Sequence, residues 1–277
     1  MKRLVHFILS HSIFISVCAA ALSIQTLQLL SVCINWNIIS LIFFATLFAY
    51  NIYWVVSKFS FSNYPSILLF IQKSKLSLLV ILVAFIGGLC CFIQLHLVMF
   101  NIIITFVLFA LYAIPVLPFK QLHFTRRAGF LKTILLAFTW AFVTTLIPLQ
   151  ISVFQADRSI ILIFINRFLF MLMLCIIFDK RDIAVDKIRG LQSLATNIKP
   201  VFLNVFILLI VIIYGLICFL MMVSGFTLPH IFSLIFTAII TVFFYLFSFK
   251  KRGYLFYYFF VDGLMLLSAL LTALATV

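Results

Sequence analysis

The sequence predicts an all-α integral membrane protein with nine transmembrane helices, and three observations predict it. The mean hydropathy is +1.37. Of the 277 residues, 67% are hydrophobic and 9% charged, where a soluble domain carries roughly 25% charged residues and about half apolar ones. Apolar runs of about 20 residues, enough to cross ~30 Å of hydrocarbon as helix, recur along the whole chain. That distribution excludes a soluble domain on a single anchor.

The first span covers 4–24, behind Lys2 and Arg3. Ser10, His11 and Ser12 interrupt it; a cleaved signal peptide ending near Cys18–Leu22 is the alternative reading. The second covers 33–56 and is followed by Lys58, Lys73 and Lys75. The third, 76–95, holds Gly87 and Gly88, small residues that permit close helix contact or a bend. Only Gln94 and His96 separate it from the fourth, 97–118, after which come Lys120, Arg126, Arg127 and Lys132. The fifth and sixth cover 130–153 and 159–178, the latter followed by Lys180, Arg181, Lys187, Arg189 and Lys199. The seventh and eighth, 200–223 and 229–249, precede Lys250, Lys251 and Arg252, and the ninth covers 254–276. The chain reads as a single transmembrane domain over 1–277.

Basic residues thus fill every second gap. Of 19 Lys and Arg, 17 fall on one side of this arrangement, the others being Arg158 and the intramembrane Arg167. The positive-inside rule then puts the N-terminus in the cytoplasm and the C-terminus outside, in an inner or plasma membrane. The same rule explains the net charge of +14 without a nucleic-acid partner. The six cysteines lie in apolar runs without metal-site spacing and read as small buried hydrophobes. The five histidines are scattered and read as interfacial or hydrogen-bonded side chains.

Acids carry more information because they are scarce. All five are Asp, and three of them, Asp179, Asp182 and Asp186, fall within eight residues. The spacing DxxDxxxD puts them on one face of a helix. Three carboxylates so placed repel one another unless a cation intervenes, and oxygen ligands of this kind suit magnesium shared with a substrate phosphate. Lys180, Arg181, Lys187 and Arg189 interleave with them and could neutralise a diphosphate. The plain alternative is a solvated helix end laced with internal salt bridges.

The run from Asp179 to Leu194, DKRDIAVDKIRGLQSL, resembles the second Asp-rich motif of the UbiA superfamily of intramembrane prenyltransferases, commonly D-I-R-D-x-x-x-D-x-x-x-G-x-x-T-L-P. Asp179, Arg181, Asp182, Asp186, Gly190 and Leu194 match; Ser193 and Ala195 depart from it. Leu111, Tyr112 and Pro115, the basic Lys120, Arg126 and Arg127, and then Lys132 and Trp140 are similar to that family's fourth helix and basic loop. The resemblance implies a nine-helix bundle. It implies transfer of a prenyl group from a prenyl diphosphate to a lipophilic acceptor, aromatic or otherwise, among membrane lipids. It also implies magnesium held by Asp179, Asp182 and Asp186, with Asn51 and Tyr112 at the substrate and Lys120, Arg126, Arg127, Lys180 and Arg181 on the diphosphate. The first motif of the family, N-x-x-x-D-x-x-x-D, is degenerate here over 51–75: Asn51 is kept, but Val55 and Phe59 stand at the acid positions. Lys58, Lys73 or Lys75 would then supply positive charge in place of a second metal. A second reading is a non-catalytic protein that binds or transports an isoprenoid or lipid phosphate.

Two more charges lie inside predicted spans. Arg167, beside Asn166, and Asp262 fall at similar depths, about 18 and 15 Å from the cytoplasmic ends at 1.5 Å per residue. Such charges cost at least ~2.5–3.5 kcal/mol in the bilayer and therefore pair or face the bundle interior. Two placements are open: a buried Arg167–Asp262 ion pair, or one of them in the substrate cavity.

Overall fold

A computed structural model describes residues 2–61, 74–95, 99–113, 129–151, 153–189, 194–250 and 252–276. The described residues are helical, with no strand among them. In chain order the helices are α1 (Lys2–Ser10), α2 (Ile13–Leu29), α3 (Trp36–Phe61), α4 (Lys75–Ile93), α5 (Met99–Ala113), α6 (Gly129–Leu149), α7 (Arg158–Arg189), α8 (Leu194–Asn197), α9 (Pro200–Val223), α10 (Leu228–Phe247) and α11 (Asp262–Thr276). A π-helical turn, Phe256–Val261, leads into α11. Seven of these are long and apolar enough to cross a membrane among the described residues, and α1 with α2 would make an eighth. The fourth expected span, 97–118, corresponds to α5, whose 15 described residues fall short of the ~20 a crossing needs. The structure therefore supports seven or eight spans, where the hydropathy pattern predicts nine.

The first span is not one rod. α1 and α2 meet at 66°, because Ser12 takes a left-handed backbone (φ 60°) that interrupts the helix. A break inside a bilayer frees backbone groups, which must find partners within the protein. Asn51 supplies one: its Nδ2 donates to the His11 carbonyl at 2.9 Å and to the Leu47 carbonyl of its own helix at 2.8 Å. The Ser16 hydroxyl donates to the Ser12 carbonyl at 2.8 Å. The polar interruption at Ser10–Ser12 is thus a built bend, braced from α3.

α7 forms the axis of the bundle. Its nine consecutive residues Leu169–Ile177 are all buried, the expected state of a helix that is apolar all round. At 32 residues it is about 48 Å long, well beyond the hydrocarbon thickness. The helix continues past residue 178 through the DxxDxxxD run, so the Asp-bearing turns extend the axis outward. α6 and α9 pack against α7, and α2 and α11 pack on each other. Cys18 Sγ reaches the Asp262 carbonyl at 3.4 Å, and farther along Gln25 Nε2 lies 2.7 Å from Thr272 Oγ1 and 3.0 Å from the Ser268 carbonyl. Advancing along both helices together, these contacts make α2 and α11 parallel. α4 is peripheral, with only Val80 and Ala84 buried. It approaches α3 closely: a Cβ on Gly87 would come within 2.7 Å of the Phe44 ring, which is the close contact the glycine pair predicts. The cysteines divide: Cys18, Cys175 and Cys218 are buried as expected, but Cys33 and Cys90 are exposed, since they sit at a helix boundary and on peripheral α4.

Replacing Asn51 by Leu leaves the His11 carbonyl without this partner. Loss of a buried partner costs about 1–3 kcal/mol, so thermal unfolding in detergent should begin at lower temperature. Asn37→Leu, at an exposed site on the same helix, should leave the transition in place.

Candidate functional site

Three helix ends and the π turn meet at the Asp179 end of α7. Asp179 is held by α6: Thr133 Oγ1 donates to its Oδ2 at 2.6 Å, and Thr133 is 2% exposed. Asp182, three residues on, accepts both Arg181 Nε and Nη2 at 2.7 Å in a bidentate pair. That pair is shielded on one side by aromatic rings. The Arg181 guanidinium lies 4.8 Å from the Phe178 and Tyr258 ring centroids and 5.4 Å from that of Tyr257. Tyr257 and Tyr258 belong to the π turn, whose extra residue re-aims the helix face that carries them. Arg181 keeps one donor unsatisfied, Nη1.

The other expected site residues divide. Lys180 faces away from this cluster; its Nζ sits 3.3 Å from the Phe249 ring centroid and 4.2 Å from that of Tyr245, without a hydrogen-bond partner. One helical step is 100°, so adjacent residues on α7 necessarily meet different neighbours. Tyr112 stacks on Tyr53 with ring centroids 5.2 Å apart, and Lys132 Nζ lies 5.9 Å from the Tyr112 ring. It therefore stands beside the α6 turn that holds Asp179. Asn51 is spent on the α1–α2 bend. Val55 is half-buried and Phe59 and Lys58 exposed, on the last turns of α3. The side chain of Asp186 and residues Lys120, Arg126 and Arg127 lie outside the described residues, as do Lys73, Gly190 and Ser193.

The donor chemistry at Asp179 and Asp182 suits a hard cation. Yet among the described residues no three His, Cys, Asp or Glu side chains converge as a metal site. Arg181 occupies both oxygens of Asp182, so a metal there would have to displace it.

Just inside this end lies a small cavity of about 40 Å³, lined by Tyr50, Trp140, Cys175, Phe178, Asp262 and Met265 among others. Cys175 is one helical turn from Asp179, about 6 Å along the axis. The Trp140 indole N–H donates to the Tyr50 hydroxyl at 3.1 Å, and their rings meet edge to face. A larger concavity, about 430 Å³, is an apolar groove around Phe232, Phe236 and Leu271 that no charged residue lines. Thr133, Tyr50 and the tyrosine pair of the π turn are the site residues that sequence reasoning missed. Their only mark in the sequence is a hydroxyl in an apolar run, which occurs at many other positions.

Arg167 and Asp262 do not form an ion pair. Arg167 Nη2 lies 3.4 Å from Thr26 Oγ1, and its Nη1 has no partner. Asp262 lines the cavity instead, with Met171, Leu174, Cys175 and Phe178, which lie nearer the Asp179 end of α7 than Arg167 does. Depth counted from helix ends misled because α7 runs on past residue 178 and the π turn displaces the start of α11. A double-mutant cycle of Arg167→Met and Asp262→Asn, read as unfolding free energy, should therefore give a coupling within about 0.5 kcal/mol. A coupling of several kcal/mol would mean that the two charges meet.

No family model matches the sequence, and no curated protein matches it. Among solved structures, the chain is similar to one described as giving structural and mechanistic insights into digeranylgeranylglyceryl phosphate synthase in membranes. The TM-score is 0.60 and the identity 15%, over 100% of this chain and 99% of that chain. At that identity the likeness establishes fold alone: the chain shares the fold of that structure, and its described residues form a multi-pass, all-helical membrane bundle.

Proposed function

We propose that the protein is a membrane prenyltransferase that moves a prenyl group from a prenyl diphosphate to a lipophilic acceptor. The observation that carries this reading is the meeting of two elements at one end of α7. Asp179, Asp182 and the unsatisfied Arg181 Nη1 form a charged rim, and the stacked rings of Tyr53 and Tyr112 stand beside the α6 turn that holds Asp179. A diphosphate needs cationic and metal partners; an allylic chain needs an apolar, aromatic wall that can also stabilise developing positive charge. The UbiA-like fold supports the same assignment.

Magnesium belongs to this proposal, with Asp179, Asp182 and Asp186 as its ligands. When bound it would neutralise the diphosphate and so assist its departure. The chain's own residues do the rest. Thr133 fixes the Asp179 carboxylate toward the α6 side. Arg181 neutralises Asp182 in the absence of ligand, and its spare Nη1 offers a donor to a phosphate oxygen. Tyr112 and Tyr53 wall the adjoining side. The excess of Lys and Arg at this end favours a rim on the cytoplasmic side, with the N-terminus on the same side.

The alternative is binding or transport of an isoprenoid or lipid phosphate without turnover. It is favoured by Val55 and Phe59, which remove the carboxylates that would hold a second metal. Diphosphate release separates the two readings. The purified protein with farnesyl or geranylgeranyl diphosphate should release diphosphate only when magnesium is present. Asp179→Asn should lower the rate at least ~100-fold, about 2.7 kcal/mol of barrier. A rate unchanged by EDTA and by that substitution would sink the transferase reading.

A further inference from the structure

One carboxylate at this end of the bundle has no part in holding the diphosphate. Asp262 is 5% exposed, lies in the first turn of α11, and lines the small cavity. Its carboxylate makes no hydrogen bond among the described residues; its backbone carbonyl alone is engaged, by Cys18. The guanidinium nearest in effect, that of Arg181, is already committed to Asp182 by two hydrogen bonds. A charge-bearing group left unpartnered inside a bilayer is costly to keep and points to use. The π turn immediately before it gives a second sign, since such turns occur frequently at functional sites.

Across the cavity stands Tyr50. Its oxygen accepts the Trp140 N–H, and among the described residues its own proton is donated to nothing. The cavity therefore offers one hydrogen-bond acceptor, Asp262, and one donor, Tyr50. Its volume of about 40 Å³ exceeds the ~10–15 Å³ a water-sized group requires, and admits little more. The complementary ligand is a hydroxyl group at the tip of a larger molecule.

We propose, on the prenyl-transfer reading above, that Asp262 binds the hydroxyl of the acceptor and takes its proton during transfer, with Tyr50 orienting the same oxygen. In that step the bond from the allylic carbon to the diphosphate oxygen breaks, and diphosphate leaves with the electron pair. The acceptor oxygen forms the new bond to that carbon, and its proton passes to the Asp262 carboxylate. The placement suits the step, because Cys175, on the cavity wall, is one turn from Asp179 on the same helix. The departing diphosphate and the attacking oxygen would stand on opposite sides of the reacting carbon.

The test compares two reactions of the same purified full-length protein with farnesyl and geranylgeranyl diphosphate. One is diphosphate release without acceptor. The other is formation of alkylated product with 4-hydroxybenzoate and with a glycerol monoether as probes. Asp262→Asn should lower the ratio of alkylation to acceptor-independent release at least tenfold. Asp262→Glu should restore part of the alkylation. Release by the variant also shows that it is folded. Equal alkylation in Asp262→Asn overturns the proposal, and so does an equal loss of both reactions. Release without any alkylation by the unsubstituted protein overturns the acceptor assignment alone. Absence of release removes the transferase reading and this role with it.

Discussion

Water is missing from the bilayer core, so each polar group in this protein must find its partner inside the bundle. That constraint organises the architecture. The break between α1 and α2 persists because Asn51 reaches across from α3 to the His11 carbonyl. α2 and α11 stay in register through Gln25, Ser268 and Thr272. Thr26 passes a hydrogen bond to the Thr144 carbonyl on α6 while it receives Arg167 from α7. Hydrophobic burial gives little direction in lipid, and these few bonds fix which helix faces which.

The same constraint singles out the groups that remain without partners. Among the described residues, Arg181 Nη1, Lys180 Nζ and Arg167 Nη1 are buried donors with no acceptor, and Asp262 is a buried carboxylate without a donor. Arg181 and Asp262 gather where the axis helix ends and the π turn begins; Asp179 and Asp182 lie on the same turns of α7. Lys180 and Arg167 stand apart, one among the aromatic rings of Tyr245 and Phe249 and the other farther along α7. Proximity in sequence did not bring Lys180 to Asp179; the angular step of the helix sends it to a different neighbour.

Much of this was legible in the sequence. Hydropathy and scarce acids reveal the class, and the Asp179–Leu194 run points to the fold that the structural likeness supports. Gly87 announces the close α3–α4 contact. Three things were not legible. The π turn has no composition signal, so depth in the sequence left two placements open for Asp262, a pair with Arg167 or a cavity, and the structure shows the second. The bond from Asn51 to the His11 carbonyl joins α3 to the α1–α2 bend forty positions away, which no local pattern marks. The Thr133 bond to Asp179 joins two helices forty-six positions apart, which one sequence does not reveal. Each of these depends on long-range geometry, whereas the correct expectations rest on local pattern.

The central claim is that the Asp179 end of α7 receives a prenyl diphosphate with a divalent cation. The most direct measurement is an anomalous-scattering map of crystals grown with manganese and a prenyl thiodiphosphate. The account predicts a manganese peak at Asp179 and Asp182, with Arg181 swung from Asp182 to a phosphate oxygen. Diphosphate bound elsewhere, or bound there without metal and with the Arg181–Asp182 pair intact, would contradict it.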